Sequence, residues 1–261
     1  MLFVSNIEPL VLSLGPISIR WYGLLFSFGF IIGYFLMQYM FKKLQYKTED
    51  LDKLLVLVFF GTVIGARLGH CFFYEPDFYL SHPLEILKIW HGGLASHGGT
   101  VGVLITVFIF CRRYQYRLLE MLDMLSIPVS LVSTLIRCGN FTNSEILGIP
   151  THGDYGVIFA RLGETFPRHP AQLYEACAYL ITFIVLSLIY FNFKKRPHGL
   201  IFGLLFILVF GSRILIEPFK MEQADYSTGT IFTVGQYLSV PFILAGLAVI
   251  IYAYHRQKKE H

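Results

Sequence analysis

The sequence is poor in charge. Asp, Glu, Lys and Arg together make up 15% of its 261 residues, against about a quarter in a soluble domain. With 55% hydrophobic residues and a mean hydropathy of +0.59, this excludes an ordinary water-soluble domain and points to a polytopic membrane protein. Cysteine is also scarce. Cys71, Cys111, Cys138 and Cys177 form no CxxC pair and lie in or beside apolar runs, so they read as small buried side chains and not as a disulfide framework. The first sixteen residues hold no Lys or Arg, which leaves no ordinary secretory n-region, and the first span reads as an uncleaved anchor. The chain has no P-loop, no GxGxxG turn, no HExxH and no GxSxG elbow, so nucleotide, metalloprotease and serine-hydrolase chemistry have no motif to rest on. His70, His82, His91, His97, His152 and His169 fall in or near the outer regions without a diagnostic ligand spacing, and no metal site is expected.

What is present is a ladder of apolar segments. Seven are marked, at about 17–37, 53–74, 95–111, 121–136, 173–191, 200–217 and 234–254. Most reach or approach the ~20 residues that cross a hydrocarbon core, and the third and fourth are short. Basic residues gather in alternate connections: Lys42, Lys43, Lys47 and Lys53; Arg112, Arg113 and Arg117; Lys194, Lys195 and Arg196; Arg256, Lys258 and Lys259. The positive-inside rule makes these cytoplasmic. The N-terminus is then outside and the C-terminus inside, in keeping with an odd number of spans. The net charge of +4 therefore reflects topology. It forms no nucleic-acid stripe, and no nucleic-acid partner is expected. The expected fold is all-α: one membrane-embedded domain, 1–261, of seven transmembrane helices with a small extracytoplasmic cap at about 137–172.

Glycines recur at spacing four, as Gly61, Gly65 and Gly69, as Gly29 and Gly33, and as Gly98 and Gly102. A helix face without side chains lets a second backbone approach closely, so these predict helix packing.

Charges sit where lipid should be. Arg67, Arg137 and Arg213 lie near outer span ends, as do Asn140, Gln172, Glu175 and Glu217. A charge in lipid is costly and normally faces protein, water or substrate. Arg213 and Glu217, four apart, can pair on one helix face, and Pro218 then ends that helix. A guanidinium fork suits a phosphate, and the anion at hand in a membrane is a phospholipid head group. The stretch "HGGLASHGG", His91–Gly99, adds Gly92, Gly93, Gly98 and Gly99 beside His97. Glycines let the chain turn sharply and bring backbone N–H groups near a ligand. An imidazole titrates near neutrality and suits proton transfer, while a histidine at a helix mouth is equally suited to capping. These features leave a phospholipid transporter or flippase as the alternative to an enzyme.

The stretches "RWYGLLF", "GARLGHCFFY", "WHGGLASHGG", "IRCGNFTNSE", "RHPAQLYE" and "SRILIEPF", taken in order, resemble those of the prolipoprotein diacylglyceryl transferase family. The likeness runs from about Ile19 to Tyr254. It implies a seven-span enzyme of the bacterial cytoplasmic (inner) membrane, with its active site toward the periplasmic side. It implies transfer of the sn-1,2-diacylglyceryl group of phosphatidylglycerol to the lipobox cysteine of a prolipoprotein signal peptide, with glycerol-1-phosphate released and no cofactor. The partners implied are phosphatidylglycerol, prolipoprotein signal peptides and membrane lipids. By the same resemblance Tyr22, His97, Arg137, Asn140, Asn143, Glu145, Arg213 and Glu217 match the family's essential positions. The chemistry of the reaction suggests Arg137, Arg213, Asn140 and Asn143 for the phosphate, and His97, Arg213, Glu217 and Tyr22 for catalysis. Arg67, Glu145, Arg168, His169, Gln172, Tyr174, Glu175 and the four glycines are placed in support. Ile136, Cys138, Ser144 and His91 depart from the family's usual residues. Two assignments stay open for the thiol proton: His97 as base, or Arg213 as the main electrostatic element with His97 positioning.

Overall fold

A computed structural model of the chain describes residues 2–14, 17–89, 93, 95–151, 153, 155–193, 195–221 and 233–260. Its frame is helical, as the apolar ladder predicts. The long helices are α1 (Trp21–Lys43), α2 (Thr48–Phe73), α4 (Ser96–Tyr114), α5 (Leu118–Thr142), α6 (Ala171–Asn192), α7 (Leu200–Ile216) and α8 (Val234–Glu260), with a short α3 (Pro76–Ser81) between α2 and α4. Each apolar segment falls on one long helix, except that the start of the first, Ile17–Arg20, is a strand. Among the described residues six candidates are long and apolar enough to cross a membrane, and no more than half of the apolar window of any of them is buried in protein. So much apolar surface left uncovered needs an apolar solvent, and the chain is a multi-pass membrane protein. The helix Ser96–Tyr114 is not among the six.

Four short strands were not expected. β1 (Leu2–Ser5) pairs in parallel with β4 (Gly156–Phe159), and β2 (Leu10–Leu14) pairs antiparallel with β3 (Ile17–Arg20). They hold four or five residues each; β1 and β2 are mostly apolar without alternation, and β3 runs straight into the first apolar segment.

The chain divides into two compact units, Met1–Leu36 with Asp123–His261, and Met37–Leu122. In the second unit α2 packs along α4. A Cβ on Gly65 would strike the carbonyl oxygen of Gly98, one on Gly98 that of Gly65, and one on Gly102 that of Gly61. The predicted glycine faces are thus the crossing itself: backbone meets backbone, and no side chain fits between. Below it, the Tyr116 hydroxyl donates to Asp50 Oδ2 at 2.9 Å and that of Tyr46 to Glu120 Oε2 at 2.7 Å. Loss of water and the neighbouring Asp50 push the Tyr116 hydroxyl up to about 12.

In the first unit Gly29 of α1 lies against Val132 and Leu135 of α5, and Gly33 against Pro128. The helix α7 begins at Gly199, which has no side chain to cap it. Asp123 of α5 supplies the cap instead, its buried carboxylate accepting the Gly199 N–H at 2.8 Å and the Phe202 N–H at 2.9 Å. A carboxylate among free N–H groups at a helix start is favourable on charge and on hydrogen bonding.

The stretch expected as a cap from about 137 opens helically, because α5 runs on to Thr142. Arg137 and Asn140 therefore stand one helical turn apart on a rigid element. Beyond it, Phe141, Val157 and Phe159 form a small core with Ile7, Leu147 and Leu173 around it. Two backbone hydrogen bonds, Ile149 N–H to Phe219 O and Met221 N–H to Leu147 O, both 3.0 Å, stitch this segment to the chain leaving α7.

Candidate active site

The first unit carries an alternating row of charges. Arg137 Nε on α5 lies 2.9 Å from Glu175 Oε2 on α6, an ion-pair separation without hydrogen-bond alignment. Glu175 is completely buried, and its other oxygen meets Lys220 Nζ at 3.2 Å. Lys220 also reaches Glu217 Oε2 at 3.2 Å. Glu217 stands 3.8 Å from Arg213 Nε. The row reads cation, anion, cation, anion, cation, and it ends at both extremities in a guanidinium.

Each member is placed by a local cause. The helix α7 stops at Ile216 and tightens into a 3-10 turn, Glu217–Phe219, around Pro218, where the sequence predicts the stop. That turn places Lys220 three residues past Glu217. A Cβ on Gly235 would collide with the Glu217 carboxylate, so the start of α8 leaves room for the acid only because it is glycine. A Cβ on Gly139 would lie 2.7 Å from the Tyr22 ring, so the ring rests on bare α5 backbone. The Tyr22 hydroxyl is near enough to feel the charges of Glu145 and Arg137. Tyr179 feels both Arg137 and Arg213, and the Arg137 guanidinium lies 6.0 Å from its ring centre.

Beside the row is a group of amides. Arg137 Nη1 donates to Asn140 Oδ1 at 3.3 Å, Asn140 Nδ2 to Glu145 Oε2 at 3.0 Å, and Asn143 Nδ2 to Glu145 Oε1 at 3.0 Å. The buried Gln172 donates through Nε2 to the Glu145 carbonyl at 2.5 Å. An acceptor-only carboxylate thus fixes which way two amides face. Asn143 Oδ1 and Gln172 Oε1 are buried and have no hydrogen-bond partner among the described residues.

Hydrogen-bonding capacity is distributed unevenly among the arginines. Arg168 is spent: Nε and Nη2 grip Glu164 at 2.7 Å each, and Nη1 donates to the Gly148 carbonyl at 3.1 Å. Arg213 is the opposite case. Its Nε is buried without a hydrogen-bond partner among the described residues, while the side chain as a whole is 32% exposed. A guanidinium with a donor to spare can receive an anion.

The structure thus brings together Arg137, Asn140, Asn143, Glu145, Gln172, Glu175, Arg213 and Glu217, with Tyr22 at the edge of the group. Tyr174 and His169 form a neighbouring aromatic pair, with Nδ1 of the buried histidine 3.1 Å from the tyrosine hydroxyl. Arg67 and His97 belong to the second unit. Arg67, grouped in the sequence with the two other arginines, is buried and uses its guanidinium on carbonyls of its own unit: Glu85 at 2.6 Å, Ile86 at 2.9 Å, Lys88 at 3.2 Å and Gly93 at 3.3 Å. It anchors the segment after α3. His97 is exposed in the first turn of α4. Gly98 and Gly99 follow it in the helix, and Gly98 serves the crossing with α2. Gly92 and His91 lie outside the described residues. Lys220 was missed, and Glu175 was ranked as support. A lysine three residues past Glu217 was the available signal, since i, i+3 charges face each other in a helical turn.

A model of the family described as prolipoprotein diacylglyceryl transferase matches residues 9–252. A protein of Tolumonas auensis named phosphatidylglycerol--prolipoprotein diacylglyceryl transferase is 49% identical over 94% of this chain and 95% of its own length. Proteins of the same name from Chloroherpeton thalassium and Bacteroides fragilis are 47% and 38% identical, covering 94% and 93% of this chain and 92% of each relative.

Proposed function

The chain belongs to the prolipoprotein diacylglyceryl transferase family, and from that premise we propose that it transfers the sn-1,2-diacylglyceryl group of phosphatidylglycerol to the lipobox cysteine of a prolipoprotein signal peptide. Glycerol-1-phosphate is the second product. The observation that carries the reading to this chain's own residues is the charged row ending in Arg213, whose Nε has no hydrogen-bond partner among the described residues.

The reaction requires two things of a protein. The thiol, with an ordinary pKa near 8.5, must give up its proton. The phosphate must then be held as the glyceryl carbon–oxygen bond breaks. Sulfur attacks the sn-3 carbon, the C–S bond forms, and the C–O electron pair leaves with the phosphate. A phosphodiester with one negative charge becomes a monoester with more, so positive charge placed beforehand favours the transition state over the ground state. Arg137 and Arg213 bind the phosphate. Glu217 orients Arg213. Asn140 and Asn143, aimed by Glu145, position the head group. Tyr22 hydrogen-bonds the lipid ester region. His97 takes or relays the thiol proton.

The topology we propose has seven spans, with Ser96–Tyr114 as the third. The N-terminus and the site face the periplasm, and the C-terminus faces the cytoplasm of a bacterial inner membrane. Basic residues in the last turns of α1, α4 and α8 support this orientation. The whole chain, 1–261, acts as one transferase domain, with an outer cap about 137–172.

The test is a reconstituted assay with glyceryl-labelled phosphatidylglycerol and a lipobox peptide, read by peptide mass. A diacylglyceryl adduct on the cysteine is the expected product. Lipid movement across the bilayer without an adduct would replace the enzyme by a transporter.

A further inference from the structure

Lys220 touches both acids of the charged row and is almost inaccessible, with 6% of its side chain exposed. Its backbone is held by the stitching between Leu147–Ile149 and Phe219–Met221. The strand approach is close: a Cβ on Gly148 would lie 2.8 Å from the Phe219 carbonyl. A side chain so enclosed, with its ammonium between Glu175 and Glu217 at 3.2 Å from each, is not placed to grip a lipid.

We propose that Lys220 is a positioning residue that leaves the row with one uncompensated positive charge and holds Glu217 off Arg213, so that the lipid phosphate is bound without Lys220 touching it. The inference rests on the transferase reading above.

The charge balance carries the argument. Three cations, Arg137, Lys220 and Arg213, face two carboxylates, Glu175 and Glu217. The surplus is one positive charge, which a phosphodiester neutralises. Without Lys220 two guanidiniums face two carboxylates, and an incoming phosphate leaves the site net negative. The distances agree. Glu217 is closer to Lys220, at 3.2 Å, than to Arg213, at 3.8 Å. A carboxylate held by the lysine does not saturate the arginine. Neighbouring charges do not alter the count. Arg168 is closed by Glu164. Glu145 is exposed and tied to Asn140 and Asn143, and Arg161 donates to the Asn143 carbonyl at 2.7 Å beside it.

The experiment is a set of charge variants of the full chain in detergent. It measures KM for phosphatidylglycerol in phosphatidylcholine micelles and calorimetric binding of dihexanoyl-phosphatidylglycerol. Lys220→Met should weaken lipid binding roughly tenfold or more, the effect of one unit charge at an effective dielectric of about 20. Lys220→Arg should stay within about threefold of wild type. The decisive variant is Lys220→Met with Glu217→Gln. It restores the surplus charge and should bind the lipid more tightly than Lys220→Met alone, whatever its kcat. A lysine that merely holds the fold together gives an additive further loss instead, and that result overturns the proposal. So does wild-type affinity in folded Lys220→Met. If Lys220→Met does not fold, Glu175→Gln with Lys220→Met removes both halves of the buried pair and obeys the same charge rule. Then near-wild-type lipid affinity is expected, and a tenfold loss refutes the rule. A wild-type protein that transfers no lipid sinks the transferase reading and this inference with it. Normal wild-type transfer with a silent Lys220→Met sinks only the inference.

Discussion

Arg137→Lys separates charge from shape at the phosphate. In the native site the guanidinium does several things at once: Nε faces Glu175 at 2.9 Å, Nη1 donates to Asn140 at 3.3 Å, and the group also bonds Tyr179. A lysine offers one ammonium. The completely buried Glu175 claims it, because a buried carboxylate robbed of a partner costs about 3–5 kcal/mol. Asn140 and the phosphate then lose their donors. One charge-assisted hydrogen bond missing in the transition state costs about 1.5–3 kcal/mol, which is a roughly 10- to 150-fold fall in kcat/KM. Stability should scarcely change, since Lys220 still holds the other Glu175 oxygen. The assay is transfer from phosphatidylglycerol to a lipobox peptide under chemistry-limited conditions, with detergent melting as the control on folding. Arg137→Met supplies the comparison, because it removes charge and shape together and should fall further. Folded Arg137→Lys with kcat/KM within about threefold of wild type would refute the claim that fork geometry matters.

His97→Ala should lower turnover with the lipobox peptide; near-normal turnover in folded protein would demote His97 to a positioning role and leave Arg213 as the main electrostatic element. Asp123→Ala strips the cap from α7 and leaves the Gly199 and Phe202 N–H groups unpaired, at a cost of about 2–4 kcal/mol, which a lowered melting temperature in detergent would reveal. Asp123→Asn, which still offers one acceptor oxygen, should lose less. Gly98→Val forces apart the backbones of α2 and α4 and should cost at least ~2 kcal/mol, read as a lower melting temperature and increased proteolysis of the second unit; an unchanged melt would mean that the crossing yields more easily than its geometry implies.

The helical frame was legible because hydropathy and glycine spacing are local. Each long apolar run became one helix, and the Gly61–Gly65–Gly69 face met Gly98 and Gly102 as spacing-four packing requires. The strands were not legible, since β1 and β2 are mostly apolar without alternation and β3 runs straight into the first apolar segment. Among charged residues the sequence identified which were out of place in lipid, but not which partner each had. Arg67 and Arg213 look alike as isolated arginines among apolar residues. One is consumed by carbonyls from Glu85 to Gly93, and the other has an Nε without a partner among the described residues, a difference set by chain segments many residues away. Glu175 passed for support because its two cations come from α5 and from the turn after α7, which only tertiary structure brings together.

The two acidic attachments of α5 have a mechanical consequence. Asp123 near one end is fastened to the start of α7, and Arg137, about 21 Å along the axis, is fastened to Glu175 of α6. A spar clamped at both ends can neither slide nor spin. Its natural joint is Pro128, which lies between the clamps and cannot donate to the helical ladder. Any bend that α5 takes up between its clamps therefore belongs at its proline, while Arg137 stays fixed on Glu175.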